Sequence, residues 1–449
     1  MSAMQSCRSR KARAASRSPL SLERLESRLA LAGNVTAQLL GSTLLLTGDA
    51  LDNSLVVATA AGGKMAVLSA PGTTINGADA TVAPFVTSRA VTNIIARLNG
   101  GDDVIGFGND AAGLIRQLGI SGIVPPPFNE VDLQTVISQV APGVTAFFLP
   151  GSLTVTTGAG DDAVGIRGTV GGSIVASLGA ASSSQGNAIA IGDPLDSTVS
   201  SRVGGSFSVV GGDGNDRIFF NGTDVGGGVA ADLGNGVNET FVRGTDSTAA
   251  ATIGSFAYSG GTGAEEIALG GNLTVRKDVS VFTGPLGADR IGVFGGVNVG
   301  GRVIIDTGAG GGHDSVRLMP ATIKRSLSVT TGAGNDEIEV QWSEVGGGLA
   351  IDSGVGDDAI TLGSSTVGFN TVIDTGPGND VVSSSGLTTR HNLFVYLGPG
   401  NDKLTLENAA AFAAFLYGGP DTNSLTTNAA TRAGIRTLKY SQFQTRNRF

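Results

Sequence analysis

Gly332-Ala333-Gly334-Asn335-Asp336, Gly354-Val355-Gly356-Asp357-Asp358, Gly376-Pro377-Gly378-Asn379-Asp380 and Gly398-Pro399-Gly400-Asn401-Asp402 are four copies of one turn, and their last residues lie 22 apart. Asp314 precedes them at the same interval. Short alternating stretches flank each turn: Leu327 and Val329 before Asp336, Ile338 and Val340 after it, then Leu349 and Ile351 before Asp358. Apolar residues at period two mean strands with one buried face, and glycines at the corners permit positive φ. A unit this short cannot enclose its own core, so consecutive copies must stack. The expected fold is all-β: a parallel β-helix, or β-solenoid, with about 22 residues per coil. Equivalent residues of neighbouring coils then lie about 4.8 Å apart, in ladders along the outside.

Related turns extend toward the N-terminus with uneven spacing. They include Gly308 to Asp314, Gly284 to Asp289, Gly261 to Glu266, Gly234 to Glu239, Gly211 to Asp216, Gly158 to Asp162 and Gly100 to Asp103. A Val-Gly-Gly landmark at 170, 225 and 345 follows three of the turns by eight or nine residues. The pattern lapses between Asp110 and Pro150, where Pro125-Pro126-Pro127 and Val131 to Val140 suggest a loop with a short helix outside the stack. The expected layout is a basic leader or processing region at 1–32, degenerate β coils at 33–110, an insertion at 111–150, a regular solenoid at 151–425 and a C-terminal cap or tail at 426–449. Two solenoids joined at the insertion would be the competing arrangement.

Glycine supplies 71 of 449 residues and charged residues only 15%, which suits a narrow continuous core. The glycines have no three-residue period, so collagen is excluded. Residues 1–28 hold seven basic side chains against Glu23 and Glu26, and 432–449 hold five with no acid, although the whole chain carries −9. The stretch between these ends is therefore strongly acidic, a poor surface for nucleic acid and a suitable one for cations. No run of about 18 apolar residues announces a membrane span.

The basic segment Arg8 to Arg17 precedes Leu22-Glu23-Arg24-Leu25-Glu26-Ser27-Arg28-Leu29-Ala30-Leu31-Ala32, which ends like a cleavage site but carries charges where a secretory signal is apolar. This segment resembles the Leu-Glu-x-Leu-Glu-x-Arg leader of planctomycete-type extracellular repeat proteins, which commonly contain Gly-Asp-Asp and Gly-Asn-Asp repeats. The resemblance implies export to the envelope or exterior and brings no catalytic residues. A second resemblance is to the calcium-binding β-rolls of RTX proteins, whose nonapeptide is matched by Gly211-Gly212-Asp213-Gly214-Asn215-Asp216-Arg217-Ile218-Phe219. The other turns match only its core and come once per coil.

The acidic ladder admits two readings. Carboxylates repeating at strand spacing repel one another, and Ca²⁺ held by side chains and turn carbonyls would relieve the repulsion. The candidate ligands are Asp213, Asp216, Asp336, Asp357, Asp358, Asp380 and Asp402. Equally, Asp or Asn in a tight turn bonds to nearby backbone N–H groups and turns its charge toward solvent.

Catalysis finds little support. Cys7 is the only cysteine and lies in the leader, and His313 and His391 lack a neighbouring histidine or cysteine. Trp342 and Tyr396 have the chemistry to stack on sugars, yet scattered aromatics usually pack. The expected function is a non-enzymatic structural or adhesive rod, extracellular or at the cell envelope, meeting surface polysaccharide or other envelope proteins through repeated weak contacts. A polysaccharide lyase or hydrolase is the alternative, and it requires acid, base and cation ligands converging in one groove.

Overall fold

A computed structural model describes residues 33–81, 83–110, 112–114, 130–192, 201–244 and 251–448. The leader, with its resemblance motif and Cys7, and the triple proline of the insertion lie outside these residues.

The chain is a parallel β-solenoid, with three strands in each regular coil. In one coil they are Leu327–Thr330, Glu337–Gln341 and Glu344–Val345. Each strand pairs in parallel with its counterpart one coil on: Leu327 faces Leu349, Glu337 faces Ala359 and Glu344 faces Thr366. Three ladders result, and they form the three sides of the rod. The inward residues of the strands make one core that runs its length, from Val35 to Phe443. A third strand of only two residues suffices because each coil leans on its neighbours for the rest of its burial.

The step from coil to coil is constant in this regular part and varies before it. Arg290 pairs with Ser315 and Glu239 with Glu266, so some of the earlier coils are longer. The insertion does not divide the stack. Leu153 pairs with Ile94, and Ala163 with Val104, so coils on either side of it meet directly. Within the insertion the helix Glu130–Val140 lays Leu133, Val136 and Ile137 against Val56, Ala58 and Leu68, which are outside the main core. It thereby covers an apolar flank of the first coils.

Both ends are finished by departures from the repeat. At the N-terminal end the strands Asn34–Leu40 and Thr43–Thr47 form an antiparallel hairpin, and Ser54–Thr59 pairs antiparallel with Met65–Ser69. Antiparallel partners occupy edges that another solenoid would otherwise extend. Toward the C-terminus the described residues 426–448 add a further partial coil. The helix Ala429–Gly434, capped by the Asn428 side chain, leads into Ile435–Ser441 and Thr445–Arg448, which extend the first two ladders. Its outward side chains include Arg436, Lys439, Arg446 and Arg448, and a row of cations discourages a second rod from adding there.

The turn glycines answer to close stacking of backbone on backbone. Gly356 has φ +145°, and a Cβ there would stand 1.4 Å from the carbonyl oxygen of Gly334 in the preceding coil. No side chain fits, which is why the third position of the turn is glycine in all four quoted copies.

Candidate functional site

The turn aspartates are inside the rod. Asp216, Asp336, Asp358, Asp380 and Asp402 are all buried, whereas Asp213 and Asp357 are exposed. The expected ladder of outward charges is therefore corrected for the last residue of each turn. Asp336 lies in step with Ile338 and Val340, so strand alternation points it inward with them.

Burial is tolerated because each carboxylate meets the preceding coil's backbone. The amide N–H of Asp314 donates to Asp336 Oδ1 (2.8 Å), that of Asp336 to Asp358 Oδ1 (2.9 Å), that of Asp358 to Asp380 Oδ1 (2.9 Å), and that of Asp380 to Asp402 Oδ1 (3.0 Å). The series ends with Asp402 N–H on Asn423 Oδ1 and Asn423 N–H on Gln444 Oε1. Toward the N-terminus it continues through Asp289, Glu265, Asn238, Asp216, Asn187, Asp162 and Asp103 to the amide of Asn53. A polar spine thus runs almost the whole length of the apolar core. A second buried column supports it: Thr331 Oγ1 donates to Ser353 O, and Thr375 Oγ1 to Leu397 O.

The residue before each spine aspartate makes the reciprocal bond on the outside. Asp357 N–H donates to Asn335 Oδ1, Asn379 N–H to Asp357 Oδ1, and Asn401 N–H to Asn379 Oδ1. Each turn therefore reaches forward with one side chain and backward with the other. His313 occupies the outer position in its coil, and its Nδ1 accepts the Asn335 N–H at 3.1 Å. This places the histidine in a structural rung.

Desolvation dominates the spine's protonation. It pushes Asp358 up to about 7, Asp380 and Asp402 up to about 6 and Asp103 up to about 8, with bonds from backbone N–H groups opposing the rise. The Oδ2 atoms of Asp103, Asp162, Asp336, Asp358, Asp380 and Asp402 are buried and lack a well-formed hydrogen bond, with the Thr157, Thr331, Ser353 and Thr375 hydroxyls the side-chain donors acting on four of these carboxylates. Where the spine residue is Asn, that second atom is an amide that donates to the turn: Asn423 Nδ2 reaches Gly418 O (2.6 Å), and Asn187 Nδ2 reaches Gly179 O (3.1 Å). A protonated carboxyl offers a donor at the same place, so neutral acid and amide are chemical equivalents here.

Among the described residues no three His, Cys, Asp or Glu side chains converge as a metal site. Of the seven candidate ligands, five have one oxygen committed to the spine. Asp213 and Asp357 stay at the surface, where they bond to Asn235 Nδ2 and to Asn379.

One groove of about 480 Å³ gathers charged groups on the second side of the rod. It opens where the outward residues Ala268 and Gly292 are small, and Glu266, Arg290, His313, Arg317, Glu337 and Phe294 surround it. Arg317 pairs with the exposed Glu337 at 2.6 Å and approaches the half-buried Glu339 at 3.7 Å. The groove is built by coils of unequal length far from the 111–150 insertion.

The exposed aromatics divide by their neighbours. Tyr396 stacks on Tyr417 and Phe394 on Phe415 from coil to coil, and Phe369 stacks on His391. These rings spend their faces on one another. Comparison with known protein families, curated proteins and solved structures finds no match.

Proposed function

We propose that the chain serves as a non-enzymatic structural or adhesive rod in the cell envelope or exterior. The spine is the observation that carries this reading. Carboxylates that a catalyst would hold in a cleft are instead inside the rod, bonded to the backbone of successive coils, and what they provide is a stiff, evenly built support. The acidic middle of the chain and the glycine-tight turns support the same role, and the resemblance of the leader supports export. No helix among the described residues is long and apolar enough to cross a membrane. Polysaccharide or other envelope proteins would be its partners, met at several points along the rod.

Calcium fits this reading best as a peripheral ion near Asp213 or Asp357, because the spine already satisfies its own turns. Chelation of Ca²⁺ is expected to move the thermal midpoint of the full chain by less than about 2 °C, an effect of the size expected when only exposed carboxylates lose a counterion. A scanning fluorescence melt with and without chelator checks this.

A second reading, a polysaccharide lyase or hydrolase, is favoured by one observation: Glu266, Arg290, Arg317 and Glu337 share a groove. The two readings part in a single assay. Full-length protein incubated with envelope polysaccharide should be retained on it without releasing reducing ends or unsaturated sugars. Steady product release that Glu266→Gln or Glu337→Gln abolishes would replace the rod reading with the enzymatic one.

A further inference from the structure

Trp342 is the chain's only tryptophan, is 61% exposed, and has φ +48°. It stands at the corner that follows the second strand of each coil, where its counterparts are Ser364, Gly386 and Asn408. From Trp342 onward the corner is left-handed: Ser364 has φ +43°, Gly386 +81° and Asn408 +52°. Glycine accepts that conformation freely, and a small polar residue accepts it at modest cost. A bulky aromatic there is an outlier that costs stability. Exposure of the ring adds to the cost, since burial returns nothing. Among the described residues no other ring stacks on it, in contrast to the Tyr396–Tyr417 and Phe394–Phe415 pairs. Strain and exposure together in one side chain point to use.

Trp342 borders a groove of about 520 Å³ whose other walls combine the apolar Pro320 and Ala321 with several polar side chains. Thr322, Ser364 and Thr366 supply hydroxyls, Glu344 a carboxylate and Arg390 a guanidinium. Glu344 and Arg390 are both exposed and have no mutual ion pair among the described residues. One flat apolar plate beside alternating donors and acceptors is the chemistry that a pyranose ring requires, with C–H groups on one face and hydroxyls at the rim. The groove's two charges cancel, while the rod around it is acidic and repels polyanions.

We infer that the Trp342 groove binds a neutral saccharide chain, with the indole as stacking plate and Glu344 and Arg390 holding ring hydroxyls. This deepens the surface-binding reading given above and rests on it.

Because no other tryptophan is present, tryptophan emission excited beyond the tyrosine band reports this groove alone. Titration with the neutral probes cellohexaose, xylohexaose and laminarihexaose should give a saturable change in that emission with at least one of them, and polygalacturonate should give none. Calorimetry with the responding probe should show binding weakened about tenfold or more in Trp342→Gly and severalfold in Arg390→Ala. The glycine variant should melt no lower than the parent, since it places at the corner the residue that Gly386 already places there. Emission that stays unchanged with all three neutral probes, a response to polygalacturonate instead, or unweakened binding by Trp342→Gly would overturn the proposal. Retention of the chain on envelope polysaccharide with silent Trp342 emission would sink this site and leave the rod reading standing. Loss of both would end the two together.

Discussion

Replacing Asp380 by leucine should destabilise the rod by about 1–3 kcal/mol, the usual cost of a buried amide left without an acceptor. The orphan would be the N–H of Asp358, which now donates to Asp380 Oδ1 at 2.9 Å. Leucine adds no acceptor. The damage should concentrate in adjoining coils, so hydrogen exchange at the amides of 358–382 should accelerate more than exchange near 174–191. Asp380→Asn is the informative companion. It keeps Oδ1 and supplies an N–H₂ where the carboxylate's Oδ2 lacks a well-formed hydrogen bond. Urea titration at pH 8 should find the asparagine variant at least as stable as the parent. At pH 5 any advantage should vanish, because the parent's carboxyl is then protonated. A leucine variant as stable as the parent would refute the spine as a source of stability.

Thermal stability should fall as pH rises from about 5 to 8, by at least about 5 °C in the midpoint. The spine groups have folded pKa values above the ordinary Asp value: about 6 for Asp162, Asp216, Asp289, Asp380 and Asp402, about 7 for Asp358 and Glu265, and about 8 for Asp103. Between the unfolded and folded values the native state binds more protons than the unfolded one. Their contribution is fully present below about pH 4 and is lost as pH climbs through 6 to 8. Repulsion within the acidic rod changes in the same direction. Asp79 and Asp278, held low by Thr81 and by Arg302, act in the opposite sense, but both are at the surface and count for little. Melts at constant ionic strength across this range check the slope. A midpoint that rises from pH 5 to 8 would mean that the spine is charged and compensated by other groups.

The solenoid was legible because its determinants are local and repeated. Period-two apolar residues and glycine corners recur at a constant interval, and no other stable arrangement uses so short a unit in that way. The burial of the aspartates was present in the same text. Asp336, Ile338 and Val340 share one parity, as do Asp402, Leu404 and Leu406, so strand alternation already assigns the acid to the inner face. The habit of placing Asp in solvent hides that signal. Asn335 and Asp357 have the opposite parity, and the structure leaves Asp357 outside. The grooves were not legible for a different reason. The walls of the charged groove come from successive coils of unequal length, and a pairing such as Arg290 with Ser315 depends on how each loop absorbs its extra residues. The strain at Trp342 likewise belongs to a backbone corner that no propensity marks, since Pro320 stands at the corresponding place one coil earlier.

Each turn bonds backward through its spine aspartate and forward through the residue before it, and these links join equivalent atoms whichever two coils meet. A segment such as 337–358 is consequently an interchangeable unit. Excising it would bring Asp336 into register with Asp380 and shorten the molecule by one strand spacing, about 4.8 Å, while both finished ends kept their chemistry. Length is thus a countable property of this chain, open to change by duplication or loss of whole units. A reach matched to the gap it must span is available without redesign of the spine.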